Sequence, residues 1–525
     1  MSMTKVIRSS LSRTKIILFL ILLLAFFFRF YKLIDWFPFG MDQEYEAFLV
    51  KNIVEGVHIP LIGVNASDTG IYLGPFFIYL AVLPYSIFGG NPLGFAFFAS
   101  MLGVFTTFMI YYLVKKMFSV SAGLLSAFFY AVSFLASYYD RNFWNPTLVP
   151  LLSLLIGYFI YEINNKRYKF LIYLSLVFGL SLHTHLSLLI FSPLIIWIVI
   201  KNFKHIRKKV LIWSIVLFLG VQIPQIIFEL RHNFTNTKAV VNLISGLIRS
   251  DQIGPSIFDR TKIFINFMGR FLWVAPGADL FVEKDLCRDL SGLQKNAYPE
   301  IVGIIFLVLC YFFYCHIRFH LNKDQASVYK IIISVLLLSI LAVFLYNRDF
   351  SEYYFLFLMP YLAIILGISL SYLLQKKQGY QTVLFFMVLF FGLNLATLMT
   401  AGNSYSYNSK LAIIDFSKKY VGSDNYSLEA LGDCPRFEGW RYLFEYHMGK
   451  PVHSYMDSYY DWLYYSKGVS EEPEKIILLS MIDPRSGQEK IAKWEEEKIN
   501  FLSKYNVITQ KLIDNIHVFI LTPKK

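Results

Sequence analysis

Acidic, basic and aromatic residues recur where long apolar segments of this sequence end. Asp42 and Glu44 follow the first apolar segment, and Asp140-Arg141 end a later one. A carboxylate can accept the proton of an attacking hydroxyl, and an arginine can hold a phosphate through two parallel hydrogen bonds. Further candidates lie at similar junctions: Arg231, His232, Arg348, Asp349, Glu352, Tyr353 and Tyr354, with the histidines His183 and His185. On one face of the molecule, such residues would form one polar pocket.

The segments that must position these residues are apolar enough to cross a membrane. The 525-residue chain is 56% hydrophobic and only 16% charged, whereas soluble domains are about 25% charged. This composition excludes a soluble globular protein. The 49 Lys and Arg exceed the 36 Asp and Glu, but most of the excess lies in short clusters between apolar segments. Membrane topology explains such clusters, so nucleic-acid binding is disfavoured.

Placing the basic clusters on the cytoplasmic side gives eleven spans and a cytoplasmic N-terminus in the plasma membrane. The apolar stretch 71–89 is not counted, because a span there would put Lys115 and Lys116 outside. We predict instead that it lies in the external interface or re-enters, within an external loop at 31–92. A second external loop covers 229–299. The predicted spans are 16–30, 93–114, 121–138, 147–162, 170–184, 186–200, 210–228, 300–317, 331–346, 353–373 and 380–399.

Residues 401–525 have the composition of a soluble domain. Apolar runs at 475–482 and 516–522 flank a charged helical segment, a pattern typical of strands alternating with helices. The predicted fold class is therefore an all-α polytopic membrane domain, residues 1–400, followed by a small external α/β domain. All the candidate residues at the ends of the apolar segments then lie on the external side.

Less specific interpretations apply to several candidates. Loop ends are polar in any protein, so an acidic residue there can simply be solvated. His183 and His185 are two positions apart and diverge on a helix, so they suit hydrogen bonding better than zinc ligation. No cofactor is predicted and no metal-ligand cluster is evident. A divalent metal ion remains possible if Asp42, Glu44 and Asp140 come together.

The first part of the chain resembles the GT-C glycosyltransferases, specifically glycosyltransferase family 39, which includes protein O-mannosyltransferases and lipid A aminoarabinose transferases. An acidic external loop after the first span is typical of that family, and the segment RFYKLIDWFPFGMDQEYEAFLVKNIVEG resembles it. The resemblance covers residues 15–235 and, loosely, 350–362. Three other segments carry it: GIYLGPFFIYLAVLPYSIFGGNPLGFAFFASMLGVFTTFMIYYLVKKMF, SYYDRNFWNPTLVPLLSLL and IPQIIFELRHNF.

This resemblance implies transfer of a sugar from a polyprenyl-phosphate donor to a hydroxyl of a lipid, glycan or protein acceptor, on the external face. Asp42 matches the family's catalytic base, which removes the acceptor proton as the anomeric carbon is attacked and inverted. Asp140 would orient the acceptor. Gln43 interrupts the adjacent Asp-Glu pair of many family members, which puts the role of Glu44 in doubt. A cation must meet the leaving phosphate, and the candidates are Arg141, Arg348 and, less favoured, Arg231. His183, His185, Tyr353 and Tyr354 are the predicted substrate-pocket residues.

Two other functions are weighed against this one. A polysaccharide polymerase or ligase would concentrate its functional residues in one large loop, and the loop 229–299 contains Arg249, Asp251, Arg260 and Arg270. A secondary transporter would be expected to show internal repeats and broken helices at the membrane midplane. The sequence shows no repeat, and its polar residues lie at one face, so a transporter is the weaker alternative.

Overall fold

A computed structural model describes residues 3–66, 69–249, 255–275, 299–346, 351–401, 406–432, 438–464, 472–482 and 486–524. Most of these residues are helical. The α-helices are α1 (Met3–Phe30), α2 (Leu33–Trp36), α3 (Met41–Val54), α4 (Phe76–Phe88), α5 (Pro92–Met117), α6 (Val120–Val132), α7 (Phe134–Asp140), α8 (Val149–Asn164), α9 (Phe170–Ser181), α10 (Ser192–Asn202), α11 (Lys208–Arg231), α12 (Thr235–Arg249), α13 (Ile257–Leu272), α14 (Pro299–Ile317), α15 (Lys323–Leu345), α16 (Met359–Leu373), α17 (Gly379–Thr400), α18 (Tyr407–Val421), α19 (Trp440–Met448), α20 (Asp457–Tyr464) and α21 (Gln488–Leu502).

Short 3-10 helices and five strands complete the described secondary structure. The 3-10 helices are Asn145–Leu148, Leu186–Phe191, Phe203–His205, Arg318–His320 and Glu352–Leu358. The strands are β1 (Tyr426–Gly432), β2 (His453–Ser454), β3 (Lys475–Met481), β4 (Tyr505–Ile513) and β5 (Ile516–Pro523).

Each of the eleven predicted spans coincides with a helix or a pair of helices. By length and apolarity alone, seven helical segments of the described residues can cross a membrane, and the pair α6–α7, bent by 68°, makes an eighth. The remaining three predicted spans coincide with α1, α9 and α14. The apolar helix α9 and the apolar part of α14 fall short of 18 residues. The membrane domain is thus a bundle of apolar helices, as predicted.

Helix α4 occupies the apolar stretch that was left out of the span count. It has 13 residues, which corresponds to about 20 Å of helix, whereas the hydrocarbon core of a bilayer is about 30 Å thick. Helix α4 packs against α3 and α5. Its length is consistent with an interfacial helix, but α9, with 12 residues, is no longer, so the interfacial placement of α4 stays a prediction.

A buried ion pair joins the end of α1 to the end of α7. Arg29 donates from Nη2 and Nε to Oδ2 of Asp140, at 2.7 and 2.9 Å, and Tyr130 donates its hydroxyl to Oδ1 at 3.2 Å. The side chains of Arg29 and Asp140 are 0% and 5% exposed. Gly103 of α5 lies directly against the pair. Because buried charges are costly unless they are paired, this contact fixes where α1 and α7 end relative to α5.

The C-terminal residues form a five-stranded mixed sheet with the strand order β2-β1-β3-β5-β4. Strand β1 pairs in parallel with β2 and β3, while β5 pairs antiparallel with β3 and β4. Strand β3 is buried apart from its first residue, and its continuous apolar run, Ile476 to Leu479, forms the middle of the sheet. The predicted combination of strands and helices is therefore observed, while a domain boundary at residue 401 stays a prediction.

The C-terminal residues pack on the end of the helical bundle where α3 lies. Lys410 of α18 donates to the carbonyl of Phe39 at 3.0 Å. The hydroxyl of Tyr442, on α19, donates to the carbonyl of Gly90 at 2.7 Å, and Asn52 of α3 donates to the carbonyl of Leu463 at 3.0 Å. We call this end of the bundle the Asp42 end. The opposite end, where α5 finishes, is the Lys116 end.

Candidate active site

A cavity of about 450 Å³ lies at the Asp42 end of the bundle. Asp42, His185, Tyr353 and Tyr354, which were predicted from sequence, all line it. Its other walls come from the loop before α4, from the junction before α8, and from the C-terminal end of α15. A volume of this size falls within the usual range of small-molecule sites, about 300–1,000 Å³. The structure thus brings together four of the ten predicted site residues around one space.

Asp42 reaches the cavity because α3 begins one residue before it. The backbone N–H of Gly40 donates to Oε1 of Gln43 at 2.7 Å, which caps the helix, and Nε2 of Gln43 donates to Asn142 at 2.9 Å. Gln43, the residue that interrupts the family's acidic pair, therefore fixes the start of α3. Asp42 is left exposed to the cavity.

A second carboxylate, Glu46, lies one helical turn after Asp42 and was missed in the sequence. Although its side chain is open to the cavity, the protein around the cavity raises the pKa of Asp42, since it displaces part of the water that would solvate the charge. Burial and the charge of Asp42 together raise the pKa of Glu46 well above its ordinary value. The backbone N–H of Asn145 donates to Glu46. The spacing of four residues was the available signal, because it puts two side chains on one helix face.

His185 forms part of the cavity wall with a defined tautomer. Its Nδ1 accepts a hydrogen bond from the backbone N–H of Ser187 at 3.2 Å. Burial lowers the pKa of His185 to about 4, so the ring is neutral at pH 7 and its proton is on Nε2. Tyr353 and Tyr354 pack on the ring, with centroids 5.6 and 5.4 Å away. His185 is therefore a neutral hydrogen-bond donor in an aromatic setting.

His183 does not line the cavity. Its Nε2 lies 3.1 Å from Oε1 of Gln222 on α11, and its ring packs so closely on Gly74 that a Cβ there would lie 2.2 Å from the imidazole. The structure thus separates the two histidines, and His183 links the loop after α9 to α11 and to the segment before α4.

Glu44 lies on the side of α3 that faces the C-terminal residues. The backbone N–H of Tyr442 donates to its Oε2 at 2.8 Å, and Tyr464 donates its hydroxyl to Oε1 at 3.4 Å. Burial raises the pKa of Glu44 to about 7, against the lowering effect of Tyr442 and the nearby cations Arg441 and Lys410. Glu44 therefore attaches the C-terminal domain to the helix that carries Asp42.

Asp140 and Arg141 lie outside the cavity lining. Asp140 is held by Arg29. Arg141 donates from Nε to the carbonyl of Arg29 at 3.0 Å and from Nη2 to the carbonyl of Phe28, so it caps the last carbonyls of α1. Its guanidinium also lies over Trp36, 5.2 Å from the ring centroid. Both residues position the exit of α1, from which the chain continues to α3.

Of the other two predicted phosphate-binding arginines, one lies away from the cavity and the other lies outside the described residues. Arg231 is exposed at the C-terminal end of α11 and does not line the cavity. Arg348 lies outside the described residues, two positions after Tyr346, which lines the cavity.

Two arginines of the loop 229–299 come close to the cavity walls, although sequence reasoning had assigned them only to the alternative polymerase function. Arg260 donates from Nη1 to the carbonyl of Tyr346. Arg270 donates to Glu352 at 2.5 Å, next to the cavity residue Tyr353. The amphipathic helix α13 therefore supplies cations that hold the backbone at Tyr346 and the side chain of Glu352.

The described residues contain no group of three or more His, Cys, Asp or Glu side chains arranged to hold a metal ion. Asp42, Glu44 and Asp140, which were considered as joint ligands for a divalent ion, lie in three different surroundings. Asp42 lines the cavity, while the other two carboxylates are bound by Tyr442 and Arg29. Asp42 and Glu46 are the pair of carboxylates that the structure places near one another.

Comparison with known proteins supports the resemblance seen in the sequence. Residues 73–228 match the sequence model of a family described as dolichyl-phosphate-mannose-protein mannosyltransferase. ArnT from Cupriavidus metallidurans, in a crystal structure with undecaprenyl phosphate bound, superimposes with a TM-score of 0.60 at 9% identity, over 95% of this chain and 97% of ArnT. The apo oligosaccharyltransferase of Archaeoglobus fulgidus gives a TM-score of 0.50 at 12% identity, over 88% of this chain and 69% of that protein. No curated protein sequence matches significantly.

The similarity to ArnT extends over nearly the whole of both chains, including the C-terminal residues. At this level of identity it establishes the fold, and the family match adds the sequence pattern of the segment from α4 to α11. The chain therefore has the fold of the GT-C glycosyltransferases, as its sequence predicted. Its apolar helices indicate a multi-pass membrane protein, and the match over residues 73–228 supports the glycosyltransferase class.

Proposed function

We propose that this protein transfers a sugar from a polyprenyl-phosphate donor to an acceptor hydroxyl, with inversion at the anomeric carbon and Asp42 as the general base. The observation that carries this proposal is that Asp42 faces a cavity at the Asp42 end of a GT-C bundle, beside a neutral histidine and two tyrosines. The crystal structure of ArnT contains undecaprenyl phosphate, which is a polyprenyl phosphate, and this supports the same class of donor here.

In the proposed reaction the acceptor oxygen attacks the anomeric carbon and forms the new glycosidic bond. The bond from that carbon to the phosphate oxygen breaks, and the electron pair leaves with the phosphate. The acceptor proton passes to Asp42, whose raised pKa makes it a better proton acceptor than an ordinary aspartate. Nε2 of His185 donates a hydrogen bond to a hydroxyl of the sugar or the acceptor.

The leaving phosphate needs a cation, and we propose Arg348 for this role. It is two positions beyond the cavity residue Tyr346 in sequence. Arg141, with two hydrogen bonds to the carbonyls of α1, and Asp140, held by Arg29, are proposed to act indirectly by fixing the path from α1 to α3. Orientation follows the charge rule: the Asp42 end is external and the Lys116 end is cytoplasmic.

The test is a pair of variants on α3. Lipid-linked sugars that co-purify with the protein are first identified by mass spectrometry, and the sugar found is then supplied on its polyprenyl phosphate in a transfer assay. Asp42→Asn is expected to lower the transfer rate by about 10²–10⁴-fold, the usual contribution of a general base, while the donor is still bound. Glu55→Gln, at the exposed end of the same helix, serves as the control. Normal transfer by a folded Asp42→Asn protein would refute the proposed mechanism.

A further inference from the structure

A second and larger cavity, of about 1030 Å³, lies at the Lys116 end of the bundle. It is separate from the candidate active site, yet the helical segment Asn145–Asn164, which includes α8, and helix α15 contribute residues to both. Helix α15 has 23 residues and is therefore about 34 Å long, close to the thickness of the apolar layer of a membrane. The second cavity thus lies at the opposite membrane surface.

Basic residues from four separate parts of the chain converge on this cavity. They come from the end of α5, the turn after α8, the end of α10 and the first half of α15. One acidic residue, Asp324, joins them among the described lining residues. The six cations of this lining, which we call the basic cluster, are Lys116, Lys166, Arg167, Lys201, Lys323 and Lys330.

The charge of the basic cluster is mostly not neutralised within the described protein. Arg167 pairs with Glu162 at 2.8 Å, but the five lysines have no carboxylate within 4.0 Å among the described residues. All five are exposed. A concave site lined by charges of one sign concentrates its field and attracts counter-ions. Membrane topology explains lysines at this surface, but it does not require them to surround one cavity.

Apolar side chains line the cavity beside the basic cluster. Ile160, Leu194 and Ile331 line the cavity together with the aromatic ring of Trp197. Trp197 belongs to a candidate span and is 54% exposed, and the ammonium group of Lys201 lies 4.6 Å from its ring centroid. An aromatic ring under a lysine is typical of the level at which lipid headgroups lie. A ligand that fits this site carries a phosphate head and an apolar tail.

We propose that the basic cluster binds the headgroup of an anionic phospholipid from the adjacent leaflet, with its acyl chains along α10 and α15. Basic pockets between membrane helices are suited to such headgroups. The proposal is independent of the reaction at the Asp42 end. Because the segment Asn145–Asn164 and helix α15 extend from one cavity to the other, the bound lipid holds together helical segments that also contribute to the candidate active site.

The test measures lipid retention by the full-length protein with native mass spectrometry in detergent, after titration with cardiolipin. Replacing one lysine near anionic lipid weakens binding by about fivefold, so the double variant Lys323→Gln/Lys330→Gln is expected to bind cardiolipin about 25-fold more weakly. A second pair, Lys116→Gln/Lys201→Gln, is expected to behave alike. All four side chains are exposed, so folding is expected to be unaffected, and gel filtration checks this.

Lys208→Gln/Lys209→Gln is the matched control, since these exposed lysines begin α11 and do not line the cavity. The control is expected to bind cardiolipin as the unmodified protein does, and phosphatidylcholine is expected to bind at least tenfold more weakly. Equal losses in the control and the cavity variants would overturn the proposal, as would equal binding of phosphatidylcholine. Binding of inorganic pyrophosphate without any retention of cardiolipin would assign the site to a soluble phosphate and overturn the proposal of a lipid.

Discussion

Replacing Gly103 by alanine probes the buried ion pair between Arg29 and Asp140. A Cβ at position 103 would lie 2.4 Å from Oδ2 of Asp140 and 2.5 Å from Nε of Arg29. Both distances are well below van der Waals contact, so the pair must move. Neither partner has free space to move into, because the side chains are 0% and 5% exposed.

The expected loss in the free energy of unfolding follows from the other hydrogen bonds that the Arg29–Asp140 pair makes. Arg29 also donates to the carbonyl of Ala131 at 3.0 Å, and Tyr130 donates to Asp140, so a displacement weakens several bonds at once. Breaking a buried pair costs about 3–5 kcal/mol. We therefore expect Gly103→Ala to lower the free energy of unfolding by up to that amount, although alanine is the better helix former.

Gly220 of α11 and Gly392 of α17 provide matched controls. A Cβ at either position would meet no atom within 4 Å, so alanine is expected to be neutral or slightly stabilising there. The assay heats the purified protein in detergent and measures the fraction that stays monodisperse by gel filtration. A midpoint several degrees below that of the controls is expected.

The double variant Gly103→Ala/Asp140→Asn separates this explanation from general disruption of α5. Both changes act on one ion pair, so their effects are expected to be less than additive. If Gly103→Ala were as stable as Gly220→Ala, or if the double variant lost the full sum, the close packing of α5 on the pair would be refuted.

Three further predictions concern the Asp42 end. The transfer rate should fall at low pH with a midpoint above pH 3.8, because the base must be ionised and burial raises the pKa of Asp42; a pH–rate profile with a lower midpoint would contradict its role. His185→Ala should reduce transfer by about 5- to 150-fold, corresponding to the loss of one buried hydrogen bond of about 1–3 kcal/mol, whereas His183→Ala should mainly lower thermal stability; equal losses of activity would be the contrary result. The pKa of Glu44, about 7 in the folded protein against 4.5 for the free side chain, means that the folded state binds the proton more tightly. Stability should therefore decrease by about 3 kcal/mol as the pH rises from about 4.5 to 7, and melting curves of Glu44→Gln should lose this dependence.

The helices were predicted well from the sequence, and four of the predicted site residues lie around one cavity. Apolar length marks the helices, while the placement of α4 outside the spans, which rests on charge parity, stays a prediction. The cavity residues Asp42, His185, Tyr353 and Tyr354 were found because charge parity put the corresponding chain junctions on one face of the bundle. Membrane topology thus predicts which chain junctions share a face.

The partners of individual side chains could not be predicted in the same way. Nothing local distinguishes His183 from His185, because the difference depends on which ring meets Gln222 of another helix. Arg29 lies inside a predicted span, where sequence gives no partner, and the partner, Asp140, is 111 residues away. The direction in which Glu44 points depends on Tyr442, which is still further along the chain.

The contacts between the C-terminal residues and the segment around α3 can form only late in synthesis of the chain. The partner of Glu44, Tyr442, is made 398 residues later in the chain, and the partner of the Phe39 carbonyl, Lys410, is made 371 residues later. At about 5–20 residues per second, translation of that length takes roughly 20–80 s. Until then α3 lies at the membrane surface without its contacts to Lys410 and Tyr442. The nascent chain therefore passes through an inserted state in which α3 lacks these contacts, and residues synthesised much later complete the surroundings of one of the first helices.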